Sequence, residues 1–139
     1  MTHHFVVDAS VAMSWCFLDE ATPATQELYD ELGSTLAVVP AWWYVELTNV
    51  LSLAERSGRI DTARVAEFIA LIEKIEVEVD SEAPQRAFSH LLPLCRTHKM
   101  TSYDAIYLEL AVRRRLPLAT LDLALRKAAK KLGVKLLGK

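Results

Sequence analysis

Five short segments, each set off from the next by stretches of helical pattern, restrict this chain to a small group of folds. Phe5-Val6-Val7 is a continuous apolar run that stops at Asp8. Leu36 to Val39 is a second such run, Ile75 to Val79 alternates apolar with acidic, Leu116 to Leu121 is a fourth, and Val134 to Gly138 is a candidate fifth. Segments of this length read as strands, and continuous apolar ones as strands buried on both faces. Strands alternating with helices predict an α/β fold: a three-layer α/β/α sandwich around a mainly parallel sheet of about five short strands. With 139 residues, no repeat and no linker, the chain reads as one domain, 1–139.

The helices between those strands carry start and stop signals. The first starts near Ser10. Thr22-Pro23 is an N-cap followed by proline, with Gly33 as the stop. Pro40 opens a helix reaching about Ser57, with Gly58 ending it. Asp61 or Thr62 caps the next, and another starts at Ala83 and is kinked or broken at Pro93. Two more are predicted over Ser102–Arg115 and Leu123–Leu132.

Against that framework four carboxylates stand out: Asp8 in FVVDASVA, Glu46 in WWYVELTNVL, Asp104 in TSYDAIYL and Asp122 in LATLDLAL. Each is flanked by apolar residues, where a charge must be paired, neutralised or bound to a cation. Asp8 and Asp122 both follow predicted strands, at the carboxyl edge of the sheet, where such folds build their sites. Each also has a structural explanation, as a helix cap. Asp104 sits in Thr101-Ser-Tyr-Asp104, which matches a capping box. Glu46 lies inside a helix where no cap needs it, and of its neighbours three, four and seven residues away only Asn49 is polar. Gathered in one pocket, four such acids need a counter-charge: two unit charges ~4 Å apart repel by about 4 kcal/mol at an effective dielectric near ~20. A hard divalent cation with oxygen ligands supplies it.

Other chemistries lack support in the sequence. No apolar run is long enough to span a bilayer. MTHHFVVDAS has no basic leader region or long apolar stretch, so the expectation is a cytoplasmic protein without a signal peptide. Cys16 and Cys95 form no CxxC and read as small buried hydrophobes, and no His/Cys cluster has zinc spacing. His3, His4, His90 and His98 are scattered, with the first pair at an N-terminus expected to be mobile. Charge is unevenly divided. Residues 1–92 hold five Lys/Arg against fifteen Asp/Glu, a balance of −10; residues 93–139 hold eleven against three, a balance of +8. That division suits either a polyanionic partner or two solvated faces. Arg96, Lys99 and Arg126 are candidates to offset a nucleic-acid backbone, and Arg113-Arg114-Arg115 reads as a solvated helix end. Trp42-Trp43-Tyr44, with Trp15 and Phe17, suits either core packing or an interface.

VVDASVA with Asp8, the mid-chain Glu46, TSYDAIYLELA with Asp104 and TLD with Asp122 resemble the PIN-domain ribonucleases, most closely the VapC-type toxins of toxin–antitoxin pairs. The resemblance spans nearly the whole chain. It implies an endoribonuclease dependent on Mg²⁺ or Mn²⁺, with Asp8, Glu46, Asp104 and Asp122 as catalytic and metal-ligating acids. Ser10 and Thr120 match positions that support them by hydrogen bonding. It further implies an RNA substrate, a homodimer, and a VapB-type antitoxin in a toxin–antitoxin hetero-oligomer. TLD departs from the commoner T-A-D or T-x-N pattern but keeps Thr120 and Asp122. Alternatives are a non-catalytic PIN-like module binding RNA or protein, a phosphoacceptor receiver, which wants paired acids after the first strand, and a dehalogenase-type phosphatase, which wants Asp-x-Asp or Asp-x-Thr where this chain has Asp-Ala-Ser.

Overall fold

The computed structural model describes residues 4–139, so Met1 to His3, with part of the expected mobile terminus, lie outside the described residues. His4 is already the first residue of a strand. Five parallel strands form one sheet: β1 (His4–Val7), β2 (Leu36–Pro40), β3 (Val77–Asp80), β4 (Leu118–Ala119) and β5 (Leu136–Leu137), in the spatial order β3-β2-β1-β4-β5. The centre of the sheet is dry. Phe5, Val6, Val7, Ala37, Val38 and Val39 are all buried, and each fully buried valine contributes roughly 1.5–3 kcal/mol.

From β1 the chain steps to β2 and β3 in one direction, then returns past β1 to β4 and β5. Right-handed crossovers therefore place the early helices on one face of the sheet and the late ones on the other. The early set is α1 (Ala9–Ser14), α2 (Pro23–Glu31), α3 (Trp42–Arg56) and α4 (Thr62–Glu73). The late set is α5 (Ala83–Arg86), α6 (Leu92–His98), α7 (Ser102–Arg114) and α8 (Leu123–Lys131). The order reverses between β1 and β4, and a crevice opens beyond the carboxyl ends of strands at such a reversal.

Several boundaries differ from expectation for identifiable reasons. Pro40 closes β2, facing Asp80 across the sheet, and α3 starts after Ala41 without a side-chain cap. The break near Pro93 falls upstream of it. Ala87–Leu91 form a wide π-type turn, in which the Leu92 N–H bonds to the Ala87 carbonyl. Proline has no N–H to continue a regular ladder, and the wider turn takes up the mismatch before α6 begins. Thr22 and Thr25 form a reciprocal capping box at α2, and Asp61, not Thr62, caps α4. Thr101 makes no side-chain cap bond at α7, so the capping-box reading of Asp104 does not hold.

Two members of the basic triplet at the end of α7 are not a solvated helix end. Arg113 reaches Asp80, Glu82 and Glu109, with 2.9 Å to Asp80 Oδ1 and 2.8 Å to Glu109 Oε1, and its side chain is 14% exposed. Arg114 pairs with Glu78. The two oppositely charged parts of the sequence thus neutralise each other where β3 meets α7. Arg126 donates from Nη1 to the carbonyls of Thr120 and Leu137, at 2.8 and 2.9 Å, and pins β4 to β5.

Candidate active site

Asp8 follows β1 directly and is buried at 5% exposure. Its Oδ1 accepts from the Ser10 hydroxyl at 2.6 Å and from the Val11 N–H at 3.1 Å, and its Oδ2 accepts from the Thr120 hydroxyl. Asp8 is therefore the N-cap of α1 and also a carboxylate clamped between two neighbouring strands. Ser10 does not cap α1; its Oγ accepts from the Leu121 N–H at 2.9 Å and links α1 to the segment after β4. Thr120 Oγ1 accepts from the Asp122 N–H at 3.0 Å. Asp122 caps α8 through the Leu125 N–H at 2.8 Å. Capping leaves room for more, because an ionised carboxylate offers about four lone-pair positions.

Glu46 sits in the second turn of α3, half-buried, and its Oε1 accepts from the Tyr107 hydroxyl at 2.6 Å. Tyr107 is a buried residue of α7, one turn beyond Asp104. Sequence reasoning passed over it. The available signal was its spacing of three from Asp104, which puts both on one helix face.

The four acids share one electrostatic neighbourhood. Burial pushes the Asp8 carboxyl above the ordinary aspartate range against three hydrogen bonds that pull it down, and the charge of Asp122 adds to the rise. Burial also raises Glu46; the Tyr107 bond opposes this and the charges of Asp8 and Asp104 reinforce it. Asp104 is raised by burial and then by Asp122, with the Thr101 hydroxyl offsetting part of it. Burial, then Glu46, Asp8 and Asp104, hold the Tyr107 phenol firmly protonated, so it can only donate to Glu46.

Among the described residues no three His, Cys, Asp or Glu side chains converge closely enough to grip one ion directly. The donor set is nevertheless all hard oxygen, and three of its members carry a cost that a cation would relieve. Mg²⁺ typically takes one or two carboxylates and retains several waters, a demand an open group of acids can meet. A recess of about 210 Å³ opens beside Ser10, lined by Met13, Phe17, Glu20, Val50 and Arg59. A larger cavity of about 530 Å³ lies between α6 and α7, and none of the four acids lines it.

Residues 5–131 match the family model of the PIN domain. The chain belongs to the PIN-domain family. PIN domains are typically metal-dependent nucleases and generally use Mg²⁺ or Mn²⁺. PAE2754 from Pyrobaculum aerophilum, known from its crystal structure, is similar over 98% of this chain and 92% of its own, with a TM-score of 0.71 and 21% identity. At that identity the likeness is one of fold. No curated protein sequence matches the chain significantly. No helix of the described PIN domain is long and apolar enough to cross a membrane.

Proposed function

We propose that this PIN domain, acting as a single unit over 1–139, is a Mg²⁺- or Mn²⁺-dependent endoribonuclease of the VapC toxin type. The observation that carries the reading is the mutual charge of Asp8, Glu46, Asp104 and Asp122 at the strand-order reversal, with Asp8 fixed by Ser10 and Thr120. Asp8, Asp104 and Asp122 hold the ion, directly or through water, and Glu46 orients the attacking water. When bound, the ion supplies a nucleophile at neutral pH and offsets charge building on the phosphoryl group.

The protein's own contribution is positional. Ser10, Val11 and Thr120 fix the plane of the Asp8 carboxylate, so it cannot turn away from the cleft. Tyr107 holds Glu46 at one oxygen and leaves the other to accept a hydrogen bond from water. Hydrolysis then proceeds without a covalent enzyme intermediate. A VapB-type antitoxin neutralises the enzyme in the cytoplasm by covering this cleft, within a hetero-oligomer built on a toxin homodimer.

The test is RNA cleavage by the isolated protein with Mg²⁺, with Mn²⁺ and with EDTA. Metal-dependent cleavage is expected. Cleavage that survives EDTA overturns the metal mechanism, and RNA binding without cleavage under every condition favours a non-catalytic module.

A further inference from the structure

Trp42 and Tyr103 stack with ring centroids 4.8 Å apart and planes 14° from parallel. The pair ties together the first turns of α3 and α7, the helices that carry Glu46 and Asp104. Trp42 lies one helical turn before Glu46, on the same side of α3. Tyr103 immediately precedes Asp104. The Trp42 indole N–H has no hydrogen-bond partner among the described residues, so stacking on Tyr103 is the directed contact that ring makes. Tyr103 is 54% exposed although Trp42 covers one face of its ring. The exposure therefore falls on the opposite face and the edge. The result is a flat aromatic surface, backed by a second ring, at the rim of the acidic cleft.

The chemistry of that cleft makes the surface useful. Four acids repel a phosphate chain, so affinity close to them has to come from contacts indifferent to charge. Aromatic faces supply this, because every nucleobase has a π-face to stack. In an A-form duplex those faces are hidden, and only unpaired bases can be splayed onto a side chain. Arg96 and Lys99, a few residues before Tyr103, are exposed and enter no ion pair among the described residues, which leaves them free for backbone phosphates.

Building on the nuclease reading, the geometry points to Tyr103, backed by Trp42, as a stacking platform for an unpaired RNA base beside the bond to be cut. The platform takes the base by its π-face, which a base held in a duplex cannot offer.

The experiment uses a short single-stranded RNA carrying 2-aminopurine, titrated in EDTA with the wild-type protein and with Tyr103→Phe, Tyr103→Trp and Tyr103→Leu. A duplex of the same sequence is the control. Stacking is expected to quench the reporter with wild type, Phe and Trp. Leu, which keeps apolar bulk but has no π-face, should weaken single-strand binding by about 5- to 100-fold and leave duplex binding unchanged. Equal binding by Tyr103→Leu and wild type overturns the platform. So does a Phe variant as weak as Leu, which would assign the effect to the hydroxyl. Normal metal-dependent cleavage by Tyr103→Leu sinks the platform and spares the nuclease. Stacking with the expected Leu defect, in a wild-type protein that never cleaves, sinks the nuclease and spares the platform.

Discussion

The Tyr107 hydroxyl donates to Glu46 Oε1 at 2.6 Å, joining α7 to α3 across 61 residues of chain. This bond pulls the Glu46 carboxyl down while burial and two neighbouring acids push it up. In Tyr107→Phe the downward influence disappears. Cleavage should fall about 10- to 100-fold, the usual effect of removing a group that orients a working residue. The acid limb of the pH–rate profile should move to higher pH, and a profile with an unmoved limb counts against the role given to Tyr107.

Thr120 is fully buried and serves two acids at once, donating to Asp8 and accepting from the Asp122 N–H. Thr120→Val keeps the shape but strands both partners. A stability loss of about 1–3 kcal/mol is expected by urea denaturation. Calorimetry should also show Mn²⁺ binding weakened by about 10- to 100-fold. Thr120→Ser should recover most of both.

Asp104 makes no cap bond, and burial and the charge of Asp122 push its carboxyl above the ordinary range, making its charged form costly. Asp104→Asn removes that cost and a proposed ligand together. Without metal the variant should melt above wild type, by up to roughly 1 kcal/mol of stability, and it should be inactive on RNA. Thermal scans with and without Mn²⁺ check the trade, since wild type should gain from the ion and the variant should gain little.

Arg113 holds the Asp80 carboxyl below its ordinary range. A carboxyl depressed on folding adds stability that is present above its unfolded pKa and is lost as pH falls through the lower folded value. The loss from this pair should therefore fall below about pH 4, seen as a falling urea midpoint. Arg113→Met leaves Glu109 with only Arg86, at 3.3 Å, and Asp80 with only Arg114, at 4.0 Å, and should cost about 1–3 kcal/mol. An acid transition unchanged in that variant would show that other carboxylates govern it.

The sheet was legible because strand signals depend on neighbours in sequence: Phe5 to Val7 and Leu36 to Val39 are apolar whatever surrounds them. Caps were legible in part for the same reason, as they act over three residues: Asp8 and Asp122 stood as cap candidates beside a chemical reading and Asp61 beside Thr62, whereas the expected Thr101–Asp104 box does not form. Tyr107 and Arg113 were not. The partner of Tyr107 lies on another helix, and Arg113 sits in a basic triplet that looks solvated until β3 brings Asp80 beside it. Leu116 to Leu121 read as six strand residues, but the regular strand is Leu118–Ala119, with single bonds at Pro117 and Thr120 flanking it, because Pro117 has no N–H to give and Asp122 already caps α8. The joint placement of Asp8 and Asp122 followed from strand order, and the residue types alone left capping and chemistry open.

The Asp8–Thr120 bond closes a loop of 112 residues. Domains gain structure during synthesis from the N-terminus onward, yet here the first acid waits for a partner made 112 positions later. Until β4 has left the ribosome and slotted beside β1, Asp8 has neither its Thr120 clamp nor Asp122 nearby. The cleft is thus completed only once β4 is in place, and a polypeptide truncated before Thr120 lacks both the clamp on Asp8 and the neighbouring charge of Asp122.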